Sequence, residues 1–174
     1  MILGLTCISE ELKLKDKKKY SFRTMTRKRF NDLDRQDAIY QLSERILHNV
    51  RVTRYILNHC ALNDISHYRL SSALFPLITD DKTDVRLDDL PHLVEIKEEL
   101  AFAGKKFNIS IGSHPDQFNV LASTDRSKVD RTINELNFQA SVLDMLGLPQ
   151  DHTAPMNIHV NYTPKTDESL EIVA

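Results

Sequence analysis

The stretch Phe107-Asn-Ile-Ser-Ile-Gly112, followed by Ser113-His-Pro-Asp-Gln-Phe-Asn-Val-Leu-Ala-Ser123, decides how the chain is read. Its first six residues alternate apolar and polar, the two-residue period of a strand. A histidine, a proline and the polar pair Asp116-Gln117 come next. Proline lacks the donor that a central strand needs, so the pleat ends at His114 and the chain turns there. Phe118 then stands where the local pattern asks for no core residue. A strand that stops in such a cluster carries reactive side chains at its carboxyl end, where parallel α/β folds gather their sites.

On either side the chain repeats the same unit. Ile2–Cys7 is an apolar run of strand length. From about Arg35 to Leu62, Ile39, Leu42, Ile46, Val50, Ile56 and Leu57 recur mostly at three- and four-residue steps, predicting a long helix. His67–Ser72 reads as a second strand, and Phe75–Asp84 is turn-rich. Pro91 sits in the first turn of a helix that Gly104 is expected to close, and Phe107–Gly112 is the third strand. Ser127–Asp130 reads as a capping box, with Ile133, Leu136, Val142, Leu143 and Leu146 on the apolar stripe behind it and Gly147 as the stop. Met156–Asn161 is the fourth strand, and Glu168–Val173 the start of another helix. Strands alternating with helices imply right-handed crossovers and a parallel sheet, with four units in one domain spanning 1–174.

Composition narrows the function. A chain of 174 residues can bury a substantial core, and its net charge of −2 favours no partner until the charges are placed. Between Lys13 and Arg29 nine basic residues face the single acid Asp16, so this segment carries +8 and the remainder −10. It reads as a basic loop over about 13–29, either a solvated face or a phosphate-contacting surface. Tyr20, Phe22 and Met25 interleave with the charges and favour a structured contact surface. Cys7 and Cys60 lack CxxC spacing and read as reduced core thiols. The amino terminus has no basic n-region and no segment approaches about 18 apolar residues, so the expectation is an intracellular protein without a membrane span. No GxGxxG or GxxxxGK[ST] follows any strand, which disfavours dinucleotide and P-loop chemistry.

The carboxyl ends of the expected strands hold Ser71-Ser72, His114 and His159-Val-Asn161. Histidines ending neighbouring strands can face one mouth, as first-row metal ions require of neutral imidazoles. A strand histidine is otherwise a hydrogen-bonded core residue, and two histidines alone do not make a site. The other five, His48, His59, His67, His92 and His152, read as surface residues. Phe118 is either a plug or an exposed stacking group.

The segments LGLTCISEEL, HYRLSSALFPLIT, SHPDQFNVLAS, LDMLG and MNIHVNY, in this order, resemble the amino-terminal part of ultraviolet damage endonucleases. The likeness implies a (β/α)8 TIM barrel of which this chain covers about the first four βα units. It implies divalent metal ions, manganese foremost, with Mg2+, Zn2+ or Co2+ as alternatives. It also implies incision of double-stranded DNA immediately 5′ of pyrimidine dimers and related photoproducts. By the same resemblance His114 and His159 are metal ligands, and Gln117 and Phe118 are the pair inserted at the lesion, Phe118 standing where many members have tyrosine. Such a wedge selects damage by deformability, since a damaged pair costs less to unstack. Lys18, Arg27 and Lys28 of the basic segment are the expected phosphate contacts.

Two positions depart from the family pattern. Leu5 replaces a tyrosine of some relatives, and Asp80 falls near a histidine of others. The family barrel continues through four more strands bearing a glutamate and an Asp-x-x-His pair, so the remaining catalytic residues are expected beyond Ala174. The expectation is an incomplete copy of a longer protein, monomeric when full length, or a chain that must pair with a partner supplying the missing half; alone it should bind metal weakly and not cut DNA. Two other readings stay open: another metal-dependent TIM barrel, such as an abasic-site endonuclease or sugar isomerase, and a non-catalytic nucleic-acid-binding module built on the basic segment.

Overall fold

The structure, a computed structural model, describes residues 3–159. Three strands, β1 (Gly4–Thr6), β2 (His67–Arg69) and β3 (Ser110–Gly112), pair in parallel and in chain order, so that Leu5, Tyr68 and Ile111 form one row. A fourth segment joins through a bridge between Ser113 and Met156, where the Ser113 amide donates to Pro155 O (2.9 Å) and the Asn157 amide to Ser113 O (3.0 Å). The fourth expected strand thus starts where the sequence puts it. Its Val160 and Asn161 lie outside the described residues, as do Ile2 and the helix expected over Glu168–Val173.

Each of the first three strands is shorter than its apolar run. The chain leaves the ladder early because the crossovers must turn away; Cys7, one residue past β1, already has φ 61°. Six helices make those crossovers: α1 (Glu10–Lys15), α2 (Lys17–Tyr20), α3 (Arg27–Asn31), α4 (Arg35–Leu62), α5 (Leu93–Lys106) and α6 (Arg126–Met145). The segment expected as a basic loop over 13–29 is therefore corrected to short helices with an irregular stretch, 21–26, between α2 and α3. Lysine and arginine are good helix formers, and each piece has a side-chain cap: Ser9, Asp16 and Thr26 accept from the amides of Leu12, Lys19 and Arg29.

Helix α4 supplies the floor of the core. Ala38, Leu42, Ile46, Val50 and Leu57 recur at its buried stripe and are all fully buried. Against this layer packs the row Leu5, Tyr68 and Ile111. Tyr68 has no exposed surface, lies beside Thr53 and Cys60 of α4, and donates its hydroxyl to Cys7 O at 2.8 Å. Burial drives the Tyr68 phenol upward and pushes the Cys60 thiol up to about 11, so both stay neutral; Cys7 and Cys60 are free thiols. Asn49, also fully buried, binds the basic segment to this core. Its Oδ1 accepts from the Arg23 amide (2.7 Å), and its Nδ2 donates to the carbonyls of Arg23 (2.9 Å) and Ala73 (2.9 Å).

Two helix ends differ from expectation. Gly104 does not stop α5, which runs on to Lys106. It is instead a point of close approach, since a Cβ there would lie 1.9 Å from Leu146 O at the end of α6. The expected box at Ser127–Asp130 is displaced by Asp125, which caps α6 by accepting from the Ser127 amide at 3.0 Å. Ile133 on that helix is partly exposed rather than in the core. Gly147, with φ 71°, is the stop for α6, and its amide donates to Asp144 O at 2.8 Å.

Strand pleating sends Thr6, His67, Arg69 and Ser110 to the face away from α4. His67 Nδ1 lies 3.1 Å from Ser110 Oγ, which donates to Thr153 O at 2.8 Å. Arg69 Nε is buried with no hydrogen-bond partner among the described residues. Among the described residues no helix is long and apolar enough to cross a membrane.

Candidate functional site

His114 follows β3 by one residue, and its ring comes within 4.6 Å (centroid to centroid) of the ring of His159 on the fourth segment. The two strand-end histidines thus share one mouth. His114 Nδ1 lies 3.0 Å from Asn157 O, and a carbonyl only accepts, so Nδ1 carries the proton. Nε2 is left as a lone-pair donor, the arrangement in which a ligating imidazole is held in tautomer and orientation by a carbonyl behind it. Both rings are half-buried. The donor set suits a first-row divalent ion but is incomplete: among the described residues, no group of three or more His, Cys, Asp or Glu side chains is placed to hold a metal.

The turn after His114 is built to hold one ring in water. Pro115 is buried. Asp116 Oδ1 accepts from the Phe118 amide (3.0 Å), and Asp116 O accepts from both the amide (2.9 Å) and the side chain (3.0 Å) of Asn119. This Asx turn fixes the backbone locally. One step on, the Val120 amide donates to Oγ1 of buried Thr132 (3.0 Å), pinning the turn to α6. Phe118 emerges 82% exposed. Of the two geometries open from the sequence, plug or exposed ring, the structure has the exposed ring. Gln117 beside it is also exposed.

A cavity of about 260 Å³ opens at the carboxyl end of β2, lined in part by Ser71, Ser72, Asp116 and Glu135. Leu77, on its wall, has φ 65°. Non-glycine residues in this region are uncommon and cluster where a surrounding structure enforces strain.

The basic residues divide. Arg27 donates through Nε (2.9 Å) and Nη2 (2.7 Å) to Asp80 Oδ2, joining α3 to the loop that follows β2 at the carboxyl end of the sheet. The departure at Asp80 thus has a local partner. Lys28 is exposed next to Arg27. Lys18 lies elsewhere, with Lys19, Arg23, His48, Arg51 and Tyr55 around a cleft of about 350 Å³ on the flank of α4. His48 is half-buried there with Nε2 3.0 Å from Ser21 O, rather than on the surface, and burial lowers its pKa. Sequence reasoning passed over Asn49, which ties the basic segment in place, and Lys128 and Arg131, which flank Phe118 on α6. Nothing in their local pattern distinguishes them from ordinary core and surface helix positions.

Comparison with known proteins finds relatives over nearly the whole chain. A UV DNA damage endonuclease of Nostoc sp. is 35% identical over 99% of this chain and 51% of its own length. One of Deinococcus radiodurans is 30% identical over 99% of this chain and 53% of its own. The chain therefore spans about half the length of the curated relatives it matches. The crystal structure of SacUVDE superposes with a TM-score of 0.76, covering 99% of this chain and 54% of that one at 23% identity. That likeness shows the fold, a TIM barrel of which this chain is about the first four βα units. The family model for UV-endonuclease UvdE matches residues 1–171, and with the two relatives it settles the matter: this chain belongs to the UV-endonuclease UvdE family.

Proposed function

We propose that this chain is the lesion-recognising half of a metal-dependent endonuclease that incises double-stranded DNA immediately 5′ of UV photoproducts. One observation carries the reading. An aromatic ring 82% exposed to water is held on a hydrogen-bonded turn directly after the strand-end histidine His114. A ring fixed by its turn beside an amide, Gln117, suits insertion into a helix that damage has made easy to unstack. His114 and His159 would hold a divalent ion, manganese foremost, with carboxylates from outside these residues completing its shell. Such an ion supplies the Lewis acidity and water activation that phosphodiester hydrolysis needs at neutral pH. The chain's own contribution would be to aim the two imidazoles, present the ring and hold the phosphates, with Arg27 and Lys28 contacting the backbone from α3.

The test measures binding of irradiated and unirradiated duplex to the purified chain. Preference for the irradiated duplex should fall in Phe118→Ala while folding stability stays within about 0.5 kcal/mol of wild type, as for other exposed sites. His114→Ala should weaken Mn2+ binding and leave the preference intact. Binding indifferent to lesion and to Phe118 would sink the reading in favour of a general nucleic-acid-binding module.

A further inference from the structure

Beside Phe118 the surface falls into a groove of about 470 Å³, lined by Gln117, Phe118, Lys128, Arg131, Thr132 and Glu135 among others. Lys128 and Arg131 stand three residues apart on the first turns of α6, so they share one face of it. Both are exposed. Lys128 Nζ is 3.9 Å from Asp125 Oδ2, at the limit of an ion pair, and Arg131 Nε donates to Ser127 O of its own helix at 3.3 Å. The neighbouring cation, Arg126, is taken up by Asp130 at 2.9 Å. Glu135 is the carboxylate that lines the groove, and it accepts from Gln139 at 2.9 Å along the helix.

Over Asp125–Glu135 three basic residues balance three acids, yet the groove itself is lined by two cations, Lys128 and Arg131, against the single carboxylate of Glu135. The wall is also fixed relative to the ring, because Thr132, one residue past Arg131, receives the Val120 amide from the loop that carries Phe118. An exposed aromatic and a pair of cations at fixed separation along one groove are the two halves of a site for a single nucleic-acid strand: a π-face for a base and positive charge for its backbone.

We infer that this groove is a phosphodiester subsite, in which Lys128 and Arg131 contact the backbone of the strand whose base stacks on Phe118. It rests on the lesion-recognition reading for which strand lies there, and adds the residues that hold that strand while the ring probes it. Each phosphate contact contributes about 0.9 to the slope of log affinity against log salt on duplex DNA, so losing two makes the slope shallower by about 1.8.

The experiment titrates salt against binding of irradiated and unirradiated duplex. Lys128→Gln with Arg131→Gln should flatten the slope by about 1.8 on both duplexes and leave the ratio of the two affinities unchanged. The swap Lys128→Arg with Arg131→Lys, which keeps both charges, should keep the wild-type slope. Phe118→Ala should do the reverse of the double variant, lowering the ratio at constant slope. A folded double variant with wild-type slope overturns the subsite whatever the lesion preference. A flattened slope in a chain that never prefers irradiated duplex upholds the subsite and overturns the lesion reading instead.

Discussion

The two faces of the short parallel sheet are built on opposite terms. Toward α4 the row Leu5, Tyr68 and Ile111 is apolar and sealed, and the Tyr68 hydroxyl has its partner in Cys7 O. Toward the other side Thr6, His67, Arg69 and Ser110 are polar or charged, and Arg69 keeps a buried Nε without a hydrogen bond among the described residues. Stability is thus concentrated on the helix-facing side. The opposite face satisfies its polar groups only in part: His67 and Ser110 are hydrogen-bonded, and the buried Arg69 Nε is not, among the described residues. In the fold this chain shares with SacUVDE, that face is the one directed to the barrel interior.

The contrast can be broken most directly at Tyr68. Tyr68→Ala should destabilise by about 3–5 kcal/mol, the range for emptying a large aromatic site, and chemical denaturation would read it. A loss under about 1 kcal/mol would mean that the helix-facing row is not the main source of stability. A smaller effect sharpens the helix side through His48. Its folded-state pKa is lowered chiefly by burial, so the unfolded chain takes the proton first. Stability should therefore decline as pH falls below about 6.5 toward the folded value, and His48→Gln should decline less over that window in thermal melts. Equal pH dependence in both would show that His48 carries none of it. The smallest change is expected on the open face: Arg69→Met should leave the melting temperature unchanged or raise it slightly, since it removes a buried donor that has no partner. A marked drop would show that this face contributes more than its hydrogen bonds suggest.

Much of this was legible in the chain because periodicity reports burial. Helix α4 spans Arg35–Leu62, as its three- and four-residue steps predict, and the strand order follows from alternation and handedness. The strands came out short because apolar alternation marks what is buried, not what is paired; Phe107 and Ile109 are buried yet precede β3. Gly104 looked like a stop because a glycine near a helix end usually is one, and only the position of Leu146 shows otherwise. At the site, the proximity of His114 to His159 was readable from their places at the ends of neighbouring strands. The groove on α6 was not, because Lys128 and Arg131 acquire meaning only when the turn after β3 folds back beside them.

The contact at Gly104 has mechanical consequences well away from where it is made. It sets backbone against backbone at the far end of α6, a rod of 20 residues and so about 30 Å long. Near the other end of that rod, Thr132 holds the turn that carries Phe118. A side chain wedged in at Gly104 would tilt the rod about its seat, and the displacement would grow along its length to be largest beside the exposed ring. The position of the exposed ring is therefore set from the opposite pole of the molecule, by a glycine of α5.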